Sequence, residues 1–166
     1  QRTISGLNEF LNDQKRESGR ATFSISKFNT TVTSLFDNVP IQTYEPLTYD
    51  HYMPGGMTAM YDAIGMIISK YKNDTTHDYI VVILTDGEDN QSKEYSQFAI
   101  NAMIREMRLK EWQFIFLGAN QDSFKQGNKL GIKHNVQYTY SDMNECMSNV
   151  NEAVKVCRKS KYNGEQ

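Results

Sequence analysis

Tyr79-Ile80-Val81-Val82-Ile83-Leu84-Thr85-Asp86-Gly87-Glu88-Asp89 runs an uncharged apolar stretch straight into a carboxylate and a glycine. A short continuous apolar run bounded by turn residues is the pattern of a parallel strand covered on both faces. Ligand sites in open α/β sheets lie just beyond the carboxyl ends of such strands. Asp86 is therefore the first candidate functional residue. The competing reading is that Asp86 only turns the chain or caps the next helix, as Asp before Gly commonly does.

Outward from that strand the chain alternates. Ile4, Leu7, Leu11 and Gln14 follow helical spacing from about Thr3 to Lys15, and Ser18-Gly19 stops the helix. Phe23 and Ile25 alternate with polar residues up to Phe28, Asn29-Thr30 turns, and Thr31 to Phe36 returns, which reads as a hairpin. A loop from Asp37 to Met57 carries Pro40, Pro46 and Pro54. Thr58 to Tyr71 is helical, Tyr79 to Thr85 is the strand, and Glu94 to Lys110 is helical through Phe98, Ala102 and Met103. Trp112 to Leu117 forms a further strand, followed by a short helix to about Leu130, a weak strand near Val136 to Tyr140, and a helix from Asp142 to about Arg158. This order defines an α/β class with a single domain over residues 1–159 and a flexible tail at 160–166.

The totals narrow the function classes. At 166 residues with a formal net charge of −2 and interspersed signs, no basic footprint for nucleic acid exists. The longest apolar runs fall far below the ~18 residues of a membrane span, and no signal-peptide core opens the chain, so a soluble, cytoplasmic protein is expected. Cys146 and Cys157 match no zinc spacing and read as buried thiols in a reducing compartment. Met57, Met60 and Met66 read as core filler; His51, His77 and His134 read as surface or loop residues.

A second junction, Pro54-Gly55-Gly56-Met57-Thr58-Ala59-Met60, places a hydroxyl behind two glycines at a helix start. The glycines permit close backbone approach, and Thr58 can cap the helix. Together with Thr85-Asp86-Gly87 it puts a hydroxyl and a carboxylate on neighbouring loops of one sheet edge. On these residues the chain resembles the von Willebrand factor type A (vWA) domain family, in which a Gly-Gly-x-Thr loop and a Thr-Asp-Gly loop help build the metal-ion-dependent adhesion site (MIDAS). It is more similar to intracellular bacterial or phage members than to secreted adhesins. The resemblance implies a Rossmann-like three-layer fold: a mostly parallel central sheet with one antiparallel edge strand and helices on both faces. It also implies that Thr58 and Asp86 belong to a metal shell holding Mg2+, with Mn2+ or Ca2+ as alternatives.

The departure from the family concerns its first strand, which ends in Asp-x-Ser-x-Ser and supplies the principal ligands. Ser24-Ile25-Ser26 is no substitute, because Thr22 stands where the acid should and the motif lies inside a strand. Magnesium wants about six oxygens, so Thr58 and Asp86 alone make half a site. Strands sit ~4.8 Å apart, so omitting a central one leaves its neighbours ~10 Å apart, with unpaired buried groups costing on the order of 1–3 kcal/mol each. Three arrangements accommodate this: a strand preceding Gln1 in the intact polypeptide, which is preferred, a strand donated by a partner chain, or a sheet closed over the gap.

The expected function is a protein-interaction module whose divalent cation accepts an acidic side chain from a protein partner. The alternative is a metal-independent scaffold or assembly subunit. Catalysis is not expected, because no Gly-x-Ser-x-Gly elbow or Walker loop is present. Asn120 and Asp122 could flank the site, with helix capping the expected role of Asp122; Glu88 and Asp89 could tune the local field.

Overall fold

The computed structural model describes residues 2–51 and 57–164. The elements are α1 (Arg2–Arg16), β1 (Thr22–Phe28), β2 (Val32–Pro40), α2 (Met60–Tyr71), β3 (Ile80–Thr85), α3 (Gln97–Leu109), β4 (Gln113–Gly118), α4 (Gln121–Lys129), β5 (His134–Gln137) and α5 (Met143–Gly164). The α/β alternation expected from the sequence is the one observed. The chain groups into two compact units. One comprises Gln1–Ser26, Ser34–Met53 and Tyr140–Gln166; the other comprises Lys27–Thr33 and Pro54–Thr139. Among the described residues no helix is long and apolar enough to cross a membrane.

In the first unit α1 and α5 are held by a buried polar seam. Gln14 Nε2 donates to Asn151 Oδ1 at 2.5 Å, and Asn151 Nδ2 in turn donates to Asp13 Oδ2. Arg158 Nη1 donates to the carbonyl and side-chain oxygens of Gln14, both at 2.9 Å. Its Nη2 reaches the carbonyls of Ser18 and Gly19, so one guanidinium closes the end of α1 whose last carbonyls have no intrahelical partner. Ile4 and Leu11 pack with Ile41, Tyr44 and Leu47. Asn8 fixes that loop by donating to Leu47 O at 3.0 Å and accepting from Leu47 N–H at 2.7 Å. Cys146 is buried and Cys157 half-buried, and burial, with Asp142 adding to it, pushes the Cys146 thiol up from its ordinary value.

In the second unit β3, β4 and β5 form a parallel sheet in that order. Val81 lies opposite Phe114 and Ile83 opposite Phe116. These side chains share a face, and Met60, Ile64 and Ile68 of α2 with Ile100, Ile104 and Met107 of α3 pack in the same core cluster. Ile115 and Leu117 on the opposite face are 2% and 0% exposed, so β4 is covered on both sides, as its continuous apolar composition requires. Close approaches are met by glycine. A Cβ on Gly118 would lie 2.7 Å from the backbone nitrogen of Phe124 and 2.9 Å from the carbonyl carbon of Ser123. A Cβ on Gly65 would sit 2.5 Å from the Tyr95 ring.

Several expectations need correction. The single mostly parallel sheet with an antiparallel edge strand is replaced, among the described residues, by two sheets: β3–β4–β5 and the separate hairpin β1–β2. The reason is pairing, since β3 bonds only β4 and β1 only β2 among described strands. The buried face of α3 is Ile100, Ile104 and Met107, and Met103 packs partly buried against the same core, while Phe98 is 86% exposed and Ala102 is also exposed. Met60 fills the core, but Met57 and Met66 are exposed. Helix α5 runs to Gly164, and 165–166 lie outside the described residues.

Because backbone at Ser123 and Phe124 cannot retreat from a methyl as a flexible side chain could, Gly118→Ala should lower the unfolding free energy by about 1–3 kcal/mol. A urea titration checks it, through a reduced midpoint at unchanged slope.

Candidate functional site

The carboxyl ends of β3 and β4 open onto a cleft of about 510 Å³ in the second unit. Thr58, Asp86 and Gly87 line it together with the carboxylates of Glu88, Asp89 and Asp122 and the amides of Asn90 and Asn120. No Lys, Arg or His is among the lining residues. The two residues singled out from sequence, Thr58 and Asp86, are thus brought to one cleft at the predicted sheet edge. Thr58 is 7% exposed, its Oγ1 would be 3.3 Å from a Cβ on Gly87, and no described residue hydrogen-bonds that hydroxyl. Asp86 is exposed. The glycines Gly55 and Gly56, whose freedom was expected to admit a close approach, lie outside the described residues.

Thr58 does not cap α2. The N-cap is Ala59, with no side-chain hydrogen bond. The helix start is satisfied from the loop after β3: Asp89 Oδ2 accepts from Tyr61 N–H at 3.0 Å, and Ser92 Oγ accepts from Asp62 N–H at 2.9 Å. Ser92 Oγ also donates to Asp89 Oδ2. A carboxylate at a helix N-terminus is favoured by the helix dipole as well as by the bond itself.

Asp62 answers in the other direction. Its carboxylate accepts the backbone N–H groups of Lys93, Glu94 and Tyr95 at 2.9, 3.0 and 3.0 Å. Burial pushes this carboxyl up, but the three backbone donors, with the Lys93 charge, outweigh it and leave Asp62 below its ordinary value. One register further back, Thr58 N–H donates to Asn90 Oδ1 at 2.9 Å, while Thr58 O accepts from Asn90 N–H at 3.0 Å and Gln91 N–H at 3.1 Å. Sequence reading missed Asp62 and Ser92. The available signal was an acid in the first turn of α2 facing a polar Asn90-Gln91-Ser92 run, which is too common to single out.

Asn120, not Asp122, is the N-cap of α4: its Oδ1 accepts from Ser123 N–H at 2.8 Å and Ser123 Oγ at 2.9 Å. Its Nδ2 donates to the Asp86 carbonyl at 2.7 Å, fixing the loop that carries the candidate acid. Asp122 stands in the first turn of α4, 4.0 Å from Lys125; the cap fell to Asn120 because the helix begins one residue before the acid. The alternative role for Asp86, capping the next helix, is filled by Ser96. Among the described residues no three His, Cys, Asp or Glu side chains converge as a group that could hold a metal.

The architecture is an α/β fold. It is similar to the crystal structure of manganese-loaded Plasmodium vivax TRAP protein, with a TM-score of 0.59 and 17% sequence identity over 86% of this chain. The chain spans 62% of that protein's length. No family model and no curated protein matches the chain.

Replacing Asp62 by Ala removes the acceptor for three backbone donors and should cost about 2 kcal/mol. The contribution also has a pH signature. A carboxyl held below its ordinary 3.8 stabilises the fold fully above that value and loses the effect as pH falls through its folded value. The stability gap between wild type and Asp62→Asn should be constant near neutrality and close below about pH 4, as measured by thermal melts across pH.

Proposed function

We propose that this chain is a protein-interaction module that engages its partner at the acidic cleft beyond β3 and β4, through a divalent cation anchored by Thr58 and Asp86. The observation that carries the reading is that Thr58 and Asp86 line one cleft together with further acidic residues and no basic one. A hydroxyl and a carboxylate are hard oxygen donors, suited to Mg2+, Mn2+ or Ca2+. The likeness to a TRAP protein crystallised with manganese supports the same chemistry here.

The donor set fits such an ion in part. Against the six or so oxygens that magnesium requires, Thr58 and Asp86 supply two groups, and Asp89 is committed to Tyr61 N–H and Ser92. The ion would keep water or partner oxygens in its remaining positions, and a partner carboxylate is the ligand it would take most readily. Thr58 would orient the ion, Asp86 would supply charge, and Glu88 and Asp122 would raise the local cation concentration. The second reading is a metal-independent scaffold, in which Asp86 serves only to order its turn, its carbonyl held by Asn120 Nδ2 at 2.7 Å.

Titration with Mn2+ by calorimetry separates the two. The metal reading expects saturable binding that Asp86→Ala weakens by at least about tenfold, or roughly 1.4 kcal/mol, with the melting temperature of the metal-free protein unchanged. Binding insensitive to both Asp86→Ala and Thr58→Ala would favour the scaffold.

A further inference from the structure

The tip of the β1–β2 hairpin reaches the start of α2. Asn29 stands at that tip, within Lys27–Thr33, the stretch of the hairpin that belongs to the second unit. Ala59 N–H donates to Asn29 O at 2.7 Å. Ala59 is 1% exposed, so the bond satisfies a buried backbone donor. Phe28, the residue before Asn29, packs partly buried against the core cluster of the second unit, which fixes the tip in place.

The bond matters because of the peptide it holds. In a trans peptide the C=O and the N–H point in opposite directions. The C=O of the Thr58–Ala59 peptide accepts from Asn90 N–H at 3.0 Å and Gln91 N–H at 3.1 Å, and the N–H of the same peptide is the one given to Asn29. One peptide plane is therefore gripped on one side by the loop after β3 and on the other by the hairpin tip. Thr58 N–H is fixed as well, by Asn90 Oδ1 at 2.9 Å. With both flanking peptides held, the backbone dihedrals of Thr58 are set, and with them the place of Oγ1 beside Gly87. Loss of the Asn29 bond would leave the plane held on one side only, free to rock.

The Asn29 side chain in turn shapes the tip. Asn29 N–H donates to Thr31 O at 3.0 Å, and Asn29 Oδ1 accepts from Thr31 N–H at 3.3 Å. This closure across Thr30 needs a short side-chain acceptor, which Asn and Asp supply. The residue type at this position thus bears on where its carbonyl points.

We propose that Asn29 is a positioning residue of the cation site: through the Ala59 amide it sets the orientation of Thr58, which makes the hairpin tip a support of the cleft alongside the loops after β3 and β4. The inference rests on the cation reading given above. The tip supplies no ligand. A Thr58 already held in its binding conformation loses less freedom when the ion arrives, and that difference appears as affinity.

The test is Mn2+ affinity by calorimetry on the full chain, joined to amide exchange by NMR without metal. Asn29→Ala should weaken Mn2+ binding by about threefold, and an ester in place of the Ala59 amide, made with lactic acid, by about tenfold, as is usual for a group behind a metal ligand. Ser24→Ala is the control. It removes the acceptor of Asn38 N–H, bonded at 2.9 Å elsewhere in the hairpin, and should leave Mn2+ affinity within about twofold of wild type. Without metal, the Ala59 amide should exchange at least about tenfold faster in Asn29→Ala than in wild type, and Asn29→Asp, which keeps the acceptor, should restore its protection. A merely structural role would lower the melting temperature of Asn29→Ala and Ser24→Ala alike and leave Mn2+ affinity untouched. Wild-type Mn2+ binding that both Asn29→Ala and the ester leave unchanged, or equal protection of the Ala59 amide in Asn29→Ala, would overturn the inference and leave the cation reading standing. No Mn2+ binding by the wild type would overturn that reading, and the inference with it.

Discussion

The reciprocal hydrogen bonding between the start of α2 and the loop after β3 is the constraint on which the cleft depends. Helix α2 begins at a residue that cannot cap it, Ala59, and leaves its first N–H groups to be met from elsewhere. Asp89 and Ser92 meet them, while Asp62 collects three backbone donors from the same loop. Each segment completes the other's unsatisfied groups, so neither conformation is available alone. Tyr95 follows directly and lies over Gly65, where any larger residue would strike its ring. Thr58 and Asp86 are held near each other as a by-product of this exchange.

The same bonds divide the acids of the cleft by role. Asp89 is half-buried and spends its oxygens on a helix terminus and a serine, so its negative charge is balanced by the dipole it caps. Asp86 is exposed at the cleft, with its backbone tethered by Asn120. Two aspartates three residues apart thus serve different ends, one structural and one facing solvent, and sequence proximity gives no hint of which is which.

Much of the fold could be read from hydrophobic pattern. Tyr79 to Thr85 and Trp112 to Leu117 announced themselves as buried parallel strands because both their faces are apolar, and the observed β3 and β4 differ only by a residue at their ends. The hairpin was visible in the alternation from Phe23 to Phe28, although β2 runs on to Pro40. What pattern could not settle was which of two apolar stripes on α3 faces inward: Phe98 is bulkier than Ile100, yet packing chose Ile100, Ile104 and Met107. At the site, Thr58 and Asp86 were legible because strand ends and glycine-flanked turns mark sheet edges. Asp62, Ser92 and the capping amide of Asn120 were not, because their partners are backbone groups about three residues or about thirty residues away, and a backbone partner leaves no trace in composition.

Asn120 works from both ends of one side-chain amide, its oxygen on the first turn of α4 and its nitrogen on the carbonyl of Asp86. Gly118 lets that turn rest against the end of β4 without a gap. The loop bearing Asp86 and the helix beginning at Gln121 are therefore mechanically in series. A ligand that drew the Asp86 backbone away would have to snap this link or drag α4 along, which makes the helix a lever whose displacement would report occupancy on the far side of the sheet edge.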